Sequence, residues 1–144
     1  MVLHMSVEQT NRYPMRMEFD CETNTFRESA YRSLMYERGF TKPYGWIKES
    51  GTPPKPHWDC ILLADGEFSL GDEVEIEVIG VFRRGDGDHK YIAVETARAI
   101  SDLSQITEDE REELCRLYPC VREGEGWCGR EMAMWCMEHH EKAL

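Results

Sequence analysis

The sequence predicts an α+β domain in which a small closed β-barrel of about five strands is followed by C-terminal helices that pack on it. Two observations predict this class. Short apolar or alternating runs, each bounded by turn residues, follow one another through the middle of the chain, and the apolar period becomes helical in the last third. A length of 144 residues fits a single domain, residues 1–144, in which we expect residues 1–13 to form a loose N-terminal segment.

The N-terminal half supplies a hairpin, an ordered loop and a short strand. MRMEF at 15–19 alternates with a period near two and is followed by the polar cluster CETNT, which is typical of a β-hairpin. Residues 30–40 show neither a helical nor a strand period, so their secondary structure is ambiguous. Four prolines and two glycines at 42–60 exclude a regular helix and indicate an ordered loop, and CILLA at 60–64 is a short apolar run.

The next two strands flank a glycine-rich connection. VEIEVIGVF at 74–82 alternates and then becomes apolar on both faces, which predicts a strand that starts half exposed and ends buried. KYIAVE at 90–95 predicts a neighbouring antiparallel strand. The connection RRGDGDH at 83–89 then reads as a hairpin turn, although its two aspartates leave a metal-binding loop open.

The last third predicts two helices. Thr107 and Glu110 form a capping box that begins the first helix, and Pro119 ends it. A second helix is expected over roughly 129–142. We interpret the apolar stripe of this second helix as core packing, and the residues on it are Met132, Trp135, Cys136 and His139.

The net charge and the hydropathy of the chain argue against some classes of binding partner. Seventeen basic and twenty-eight acidic residues give a net charge of −11, which disfavours nucleic acid as a partner. The acidity suits a protein that binds metal cations, but solvated surface carboxylates explain it equally. No apolar run approaches the roughly 20 residues that span a bilayer, and the N-terminus lacks the pattern of a secretory signal. We therefore expect a cytoplasmic protein without a membrane partner.

Six cysteines are present, and four of them lie in the last thirty residues close to His139 and His140. Cysteine and histidine are the usual ligands of structural zinc, but no CxxC pair occurs and the spacings match no common zinc module. The alternative is a set of buried or free thiols in a reducing compartment.

The order and spacing of several short motifs resemble those of one family. YGWI (44–47), an aspartate at 59 before an apolar strand, GDEV and VIGV (71–81), an aspartate and lysine at 88 and 90, ISDL (100–103) and a helix ending in a tyrosine at 118 are similar to the soluble inorganic pyrophosphatases with an OB-like barrel. The resemblance covers roughly residues 15–128. It implies the OB-like barrel, a homo-oligomer and hydrolysis of pyrophosphate, or action on another phosphorylated small molecule.

The resemblance also implies a magnesium cofactor, with Mn²⁺ or Zn²⁺ as alternatives, because metal ions activate water and neutralise phosphate oxygens in such reactions. The implied metal ligands are Glu18, Asp59, Asp86 and Asp88, of which Asp59 and Asp88 are also the implied catalytic residues. The implied substrate-binding residues are Arg16, Arg32, Tyr44, Lys90 and Tyr118.

The chain departs from the family pattern at the metal site. Where the family has D-G-D-P-L-D, residues 54–59 read PKPHWD, so that Pro54 and Pro56 replace two aspartates, and Pro119 replaces a lysine. At about 4 kcal/mol per close charge pair at an effective dielectric constant near 20, this loss would weaken divalent metal binding by several kcal/mol.

Softer ligands lie beside Asp59 and in the 83–89 connection. His57, Cys60 and His89 could favour a transition metal over magnesium, or the two histidines could be exposed loop residues.

Three functions remain open at this stage. The first is an inorganic pyrophosphatase-like phosphohydrolase, and the second is a non-catalytic relative that binds a phosphorylated ligand or a protein partner. Tyr44, Trp46 and Trp58 could line a pocket for a ring in the second case, or cap the barrel mouth. The third, an oligonucleotide-binding barrel, rests on fold analogy and conflicts with the net charge.

Overall fold

A closed five-stranded barrel forms the centre of the computed structural model, which describes residues 2–139. The barrel strands, in their order around it, are β1 (Leu3–Gln9), β4 (Tyr44–Ile47), β5 (Trp58–Leu62), β7 (Lys90–Glu95) and β6 (Glu73–Arg83). β1 pairs with β6 and closes the barrel, and the β5–β7 pair is parallel whereas the other barrel pairs are antiparallel. The predicted α+β class with an OB-like barrel is confirmed.

The prediction that residues 1–13 form a loose segment is wrong for β1. Met5 pairs with Ile47 on one side and with Val74 on the other, and its side chain is fully buried. The close approach of β1 to β4 requires Gly45, because a Cβ there would lie 1.8 Å from Ser6 O. β1 was not predicted from the sequence because its polar side chains are buried along with the apolar ones. The strand therefore shows no alternation between apolar and polar positions.

A two-stranded hairpin lies beside the barrel, as predicted from MRMEF. Its strands are β2 (Met15–Asp20) and β3 (Thr25–Arg32). Phe19 and Phe26 pack on Trp46 of β4, with ring centroids 5.2 and 6.4 Å from that of Trp46. The side-chain amide of Gln9 connects the barrel to the hairpin through the backbone of Met17. It accepts a hydrogen bond from Met17 N at 3.0 Å and donates one to Met17 O at 2.5 Å, as the backbone of a neighbouring strand would.

The segment between the hairpin and β6 contains more regular structure than expected. A short helix, α1 (Leu34–Glu37), lies in the ambiguous region. The expectation of an ordered loop throughout 42–60 is wrong at both ends, where β4 and β5 lie. The YGWI run of four residues is too short to show a period, and the prolines flank the strands without interrupting them.

The second half follows the sequence prediction closely. β6 and β7 form an antiparallel pair around the 83–89 connection, and burial along β6 increases as predicted. Helix α2 (Glu108–Leu117) begins at the predicted capping box. A short strand, β8 (Gly126–Gly129), was not expected and extends the sheet by pairing with β6.

Helix α3 (Arg130–Glu138) packs on the barrel through a face that includes Met132 and Cys136, as predicted, but not Trp135 and His139. Ala133, Cys136 and Met137 are buried, whereas Trp135 is 43% exposed and stacks on the exposed His139 at a centroid distance of 4.1 Å. The interpretation of Trp135 and His139 as core residues is therefore wrong.

The remaining part of the predicted second helix, and the zinc candidate His140, lie outside the described residues. Within residues 2–139, no group of three or more His, Cys, Asp or Glu side chains could hold a metal ion. In the same part of the chain, no helix is long and apolar enough to cross a membrane.

Candidate anion-binding cleft

A cleft of about 380 Å³ lies at one end of the barrel, between the hairpin, the start of β7 and the end of α2. It brings together all five of the residues predicted to bind substrate, which come from β2, β3, β4, β7 and the end of α2. Its lining residues are Gln9, Arg16, Tyr31, Arg32, Ser33, Leu34, Met35, Tyr44, Arg84, Asp88, Lys90, Leu117 and Tyr118.

Lys90, the first residue of β7, lies at the floor of the cleft and is only 6% exposed. Its Nζ donates hydrogen bonds to Tyr44 Oη at 3.0 Å, Asp59 Oδ2 at 2.7 Å and Asp88 Oδ2 at 3.0 Å. Burial alone would lower the pKa of Lys90, but Tyr44 and the two carboxylates raise it well above its usual value. Lys90 is therefore a fixed positive charge in the cleft.

Asp59 is bound on both carboxylate oxygens. His57 Nε2 lies 3.2 Å from Asp59 Oδ1, opposite the oxygen that Lys90 binds. Burial acts to raise the pKa of Asp59, but the hydrogen bond from His57 and the charge of Lys90 hold it well below its usual range. Asp59 therefore remains an anion that contacts both of these side chains.

The softer ligands considered from the sequence have other roles. His57 Nδ1 lies 2.8 Å from Lys55 O, so His57 ties the proline-rich loop to Asp59. Cys60 is fully buried, and burial raises the pKa of its thiol far above the usual value. His89 is also buried, and its Nδ1 accepts a hydrogen bond from Arg84 N at 2.9 Å.

The four predicted metal ligands do not converge on one point. Asp59 and Asp88 approach each other, but Lys90 Nζ lies between their carboxylates. Asp86 is exposed and accepts a hydrogen bond from Asp88 N at 2.9 Å, which closes the turn, and the exposed Glu18 of β2 is outside the cleft lining. Magnesium is held by several hard oxygen ligands in near-octahedral geometry. A pair of carboxylates bridged by an ammonium group does not fit that requirement.

Two charged residues in or near the cleft were not predicted from the sequence. Arg84 follows β6 and lines the cleft, with its guanidinium 3.5 Å from Asp86 Oδ2 and 3.9 Å from Asp88 Oδ2. Glu8 of β1 is 9% exposed, and burial, with the nearby charge of Asp59, raises its pKa to about 7. The pair of arginines before the 83–89 turn could have pointed to Arg84 as an anion-binding residue. Nothing in the sequence distinguished Glu8 from the other glutamates.

The cleft is cationic although the protein is acidic. Among residues 2–139 it is lined by Arg16, Arg32, Arg84 and Lys90 together with the carboxylate of Asp88, and Asp59 is bound to Lys90. Glu37 pairs with Arg32 from outside the cleft, with Arg32 Nε 2.5 Å from Glu37 Oε1. The arrangement of guanidinium groups around a fixed ammonium is suited to phosphate oxygens, because arginine donates planar pairs of hydrogen bonds.

The aromatic residues of this region divide between the cleft and the core. Burial raises the pKa of Tyr44 well above its usual value and also raises that of Tyr118, so both face the cleft as neutral phenols. Trp46 is 4% exposed and packs under the hairpin, and Trp58 packs on Tyr91 at a centroid distance of 5.6 Å. Neither tryptophan lines the cleft.

The barrel, the hairpin and the C-terminal helices together have the fold of the inorganic pyrophosphatases, as comparison with solved structures shows. The enzyme from Ehrlichia chaffeensis superposes with a TM-score of 0.75 at 20% identity, over 96% of this chain and 92% of that chain. The enzyme from Helicobacter pylori gives a TM-score of 0.70 at 18% identity, over 96% and 90%. The enzyme from Thermus thermophilus gives 0.66 at 20% identity, over 93% and 86%.

No protein-family model matches the chain, and no curated protein matches it. At this level of identity the likeness establishes the fold.

Proposed function

We propose that this protein binds a small phosphorylated anion in the cleft, with pyrophosphate as the simplest ligand, and that cationic side chains carry the binding. The observation that supports this proposal is the set of four cationic side chains that line one cleft of a protein whose net charge is −11, three of them held in ion pairs with neighbouring carboxylates. Local charge governs binding here because the Debye length is about 8 Å at physiological ionic strength, so distant surface carboxylates are screened.

Each cation has a distinct part in the proposed complex. Lys90 supplies a positive charge held in place by its carboxylate partners, which limits the entropy lost when an anion binds. Arg16 lies on the hairpin and Arg84 on the β6–β7 connection, so the two arginines reach the cleft from different elements. Tyr44 and Tyr118, as neutral phenols, can donate hydrogen bonds to phosphate oxygens.

Metal-assisted hydrolysis of pyrophosphate is the second candidate, and the fold shared with the inorganic pyrophosphatases favours it. In that case Mg²⁺, Mn²⁺ or Zn²⁺ would bind at Asp59 and Asp88 and would supply an activated water. The donor set argues against this candidate, since Lys90 occupies the position between the two carboxylates and prolines stand at 54 and 56.

Calorimetric titration of the protein with pyrophosphate in the presence of EDTA tests the first candidate. We expect saturable binding at one site, and a loss of about 10- to 100-fold in affinity for Arg84→Ala, because hydrogen bonds to charged groups contribute about 1.5–3 kcal/mol each. Arg27→Ala is the control, since it also removes one arginine but Arg27, on β3, lies outside the cleft lining. An absence of binding, or equal losses in the two variants, would refute the proposal.

Phosphorus NMR of the same samples separates the two candidates. We expect pyrophosphate to be recovered unchanged with EDTA and after addition of Mg²⁺, Mn²⁺ or Zn²⁺. Metal-dependent release of phosphate that is lost in the Asp59→Asn, Asp88→Asn double variant would instead support hydrolysis.

A further inference from the structure

Two large apolar side chains are exposed at the rim of the cationic cleft. Tyr31 is 70% exposed and Leu34 is 56% exposed, and both line the same cleft as the arginines. Single exposed apolar residues are common on protein surfaces, but an aromatic and an aliphatic side chain at the mouth of one polar cleft form a binding surface. Pyrophosphate has no apolar atoms and would leave this surface uncovered.

We propose that the ligand is a nucleoside diphosphate, with its diphosphate group among the cations of the cleft and its base stacked on Tyr31. This inference rests on the proposed function and specifies the ligand of the same cleft. Tyr31 and Leu34 flank Arg32 in the chain, so one segment carries a cation for the phosphates and an apolar surface for the base. Aromatic rings bind nucleobases by stacking without requiring a particular base.

Local hydrogen bonds hold the rim in place. Tyr31 N donates to Ser29 Oγ at 3.2 Å, at the end of β3. Ser33 caps α1, since its Oγ accepts a hydrogen bond from Tyr36 N at 3.3 Å, and this fixes the start of the helix at Leu34. The apolar rim is therefore a defined surface in the absence of ligand, which reduces the ordering cost of binding.

The size of the cleft and its polar groups agree with such a ligand. Its volume of about 380 Å³ lies within the range of roughly 300–1,000 Å³ for small-molecule sites. Gln9 lines the cleft, but both ends of its side-chain amide are engaged with Met17. Because this amide is already paired, we expect little discrimination between one base and another.

Titration with ADP and with methyl diphosphate, both in EDTA, tests the inference. The two ligands carry the same diphosphate monoester, and only ADP carries a base. We expect ADP to bind about tenfold more tightly, in line with the effect of one base stacked on an aromatic side chain. Tyr31→Ala should bring the two affinities together.

Tyr36→Ala is the matched control, because Tyr36 is 44% exposed on the neighbouring helix and lies outside the cleft lining. This variant should keep the preference for ADP. Equal affinities of the two ligands for the unmodified protein, or an ADP preference that survives Tyr31→Ala, would overturn the inference while pyrophosphate binding still stands. If neither pyrophosphate nor ADP binds, the proposed function fails as well.

Discussion

Lys90 forms three hydrogen bonds in the cleft, and its position between Asp59 and Asp88 decides which ions the cleft can accept. The paired carboxylates stabilise the charged lysine at the cost of their own availability to a metal ion. Because an ammonium group has three N–H donors and all three are engaged, a phosphate oxygen can bind Lys90 only by replacing one of its partners. The two aspartates keep Lys90 charged, but together they outweigh its single positive charge, so Arg16, Arg32 and Arg84 have to supply the net attraction for an anion.

Glu8 gives a prediction for the pH dependence of stability. Its pKa of about 7 in the fold lies above the reference value of 4.5, so its stabilising contribution is complete below about 4.5 and is lost as the pH rises through about 7. We expect the stability of Glu8→Gln relative to the unmodified protein to increase by up to about 3 kcal/mol between pH 4.5 and pH 8, at 1.36 kcal/mol per pKa unit. Urea denaturation of both proteins at the two pH values measures this. A stability difference that does not change with pH would contradict it.

At the scale of elements, Gln9 joins the β2–β3 hairpin to the barrel and so places Arg16. Gln9→Leu removes both hydrogen bonds to Met17, which is buried, and leaves a backbone N–H and C=O unsatisfied. We expect a loss of about 1–3 kcal/mol in the free energy of unfolding, and weaker pyrophosphate binding. Denaturation and calorimetry provide the two readouts.

The control for Gln9 is Thr23→Ala in the turn of the same hairpin. It removes the exposed hydrogen bond between the hydroxyls of Thr23 and Thr25, which are 2.7 Å apart. Surface changes of this kind alter stability by less than about 0.5 kcal/mol. Equal effects of the two substitutions would show that the Gln9 amide does not hold the hairpin.

The elements with a clear contrast between apolar and polar positions could be predicted from the sequence. The β2–β3 hairpin, β6 and α2 have such a contrast or a capping box, β7 contains a continuous apolar run, and all are found. β1 could not be predicted, because polar side chains are buried among its apolar ones and it shows neither a contrast between faces nor an apolar run. The prediction for the packing face of α3 was wrong at Trp135, because the stripe of large residues on this helix is wider than the face that the barrel buries.

The candidate site was predictable where residues lie in motifs of fixed spacing. Tyr44, Asp59 and Lys90 come from such motifs, and the structure brings them within hydrogen-bonding distance of one another through Lys90. The apolar rim of Tyr31 and Leu34 could not be predicted, because it lies in a segment whose apolar residues follow neither the helical nor the strand period. The contribution of Glu8 depends on burial and on the charge of Asp59, which only the folded chain defines.

At the scale of the whole molecule, the cleft exists because the barrel is closed. Tyr44 and Asp59 lie on β4 and β5, and Lys90 lies beside Asp59 on β7, so the site is formed by neighbouring strands of one closed sheet. β1 completes this closure by pairing with both β4 and β6. The N-terminal strand, which does not itself carry a cleft cation, therefore controls whether the cations come together.

Two single substitutions to aspartate, one inside β1 and one just before it, test whether β1 closes the barrel. Met5 is fully buried between β4 and β6, whereas Val2 is 56% exposed just before the strand. Met5→Asp should lower the free energy of unfolding by more than about 4 kcal/mol, because it removes a core side chain and buries an unpaired carboxylate. Val2→Asp should change it by less than about 0.5 kcal/mol. Urea denaturation followed by tryptophan fluorescence compares the two, and a folded Met5→Asp protein of unchanged stability would mean that β1 does not close the barrel.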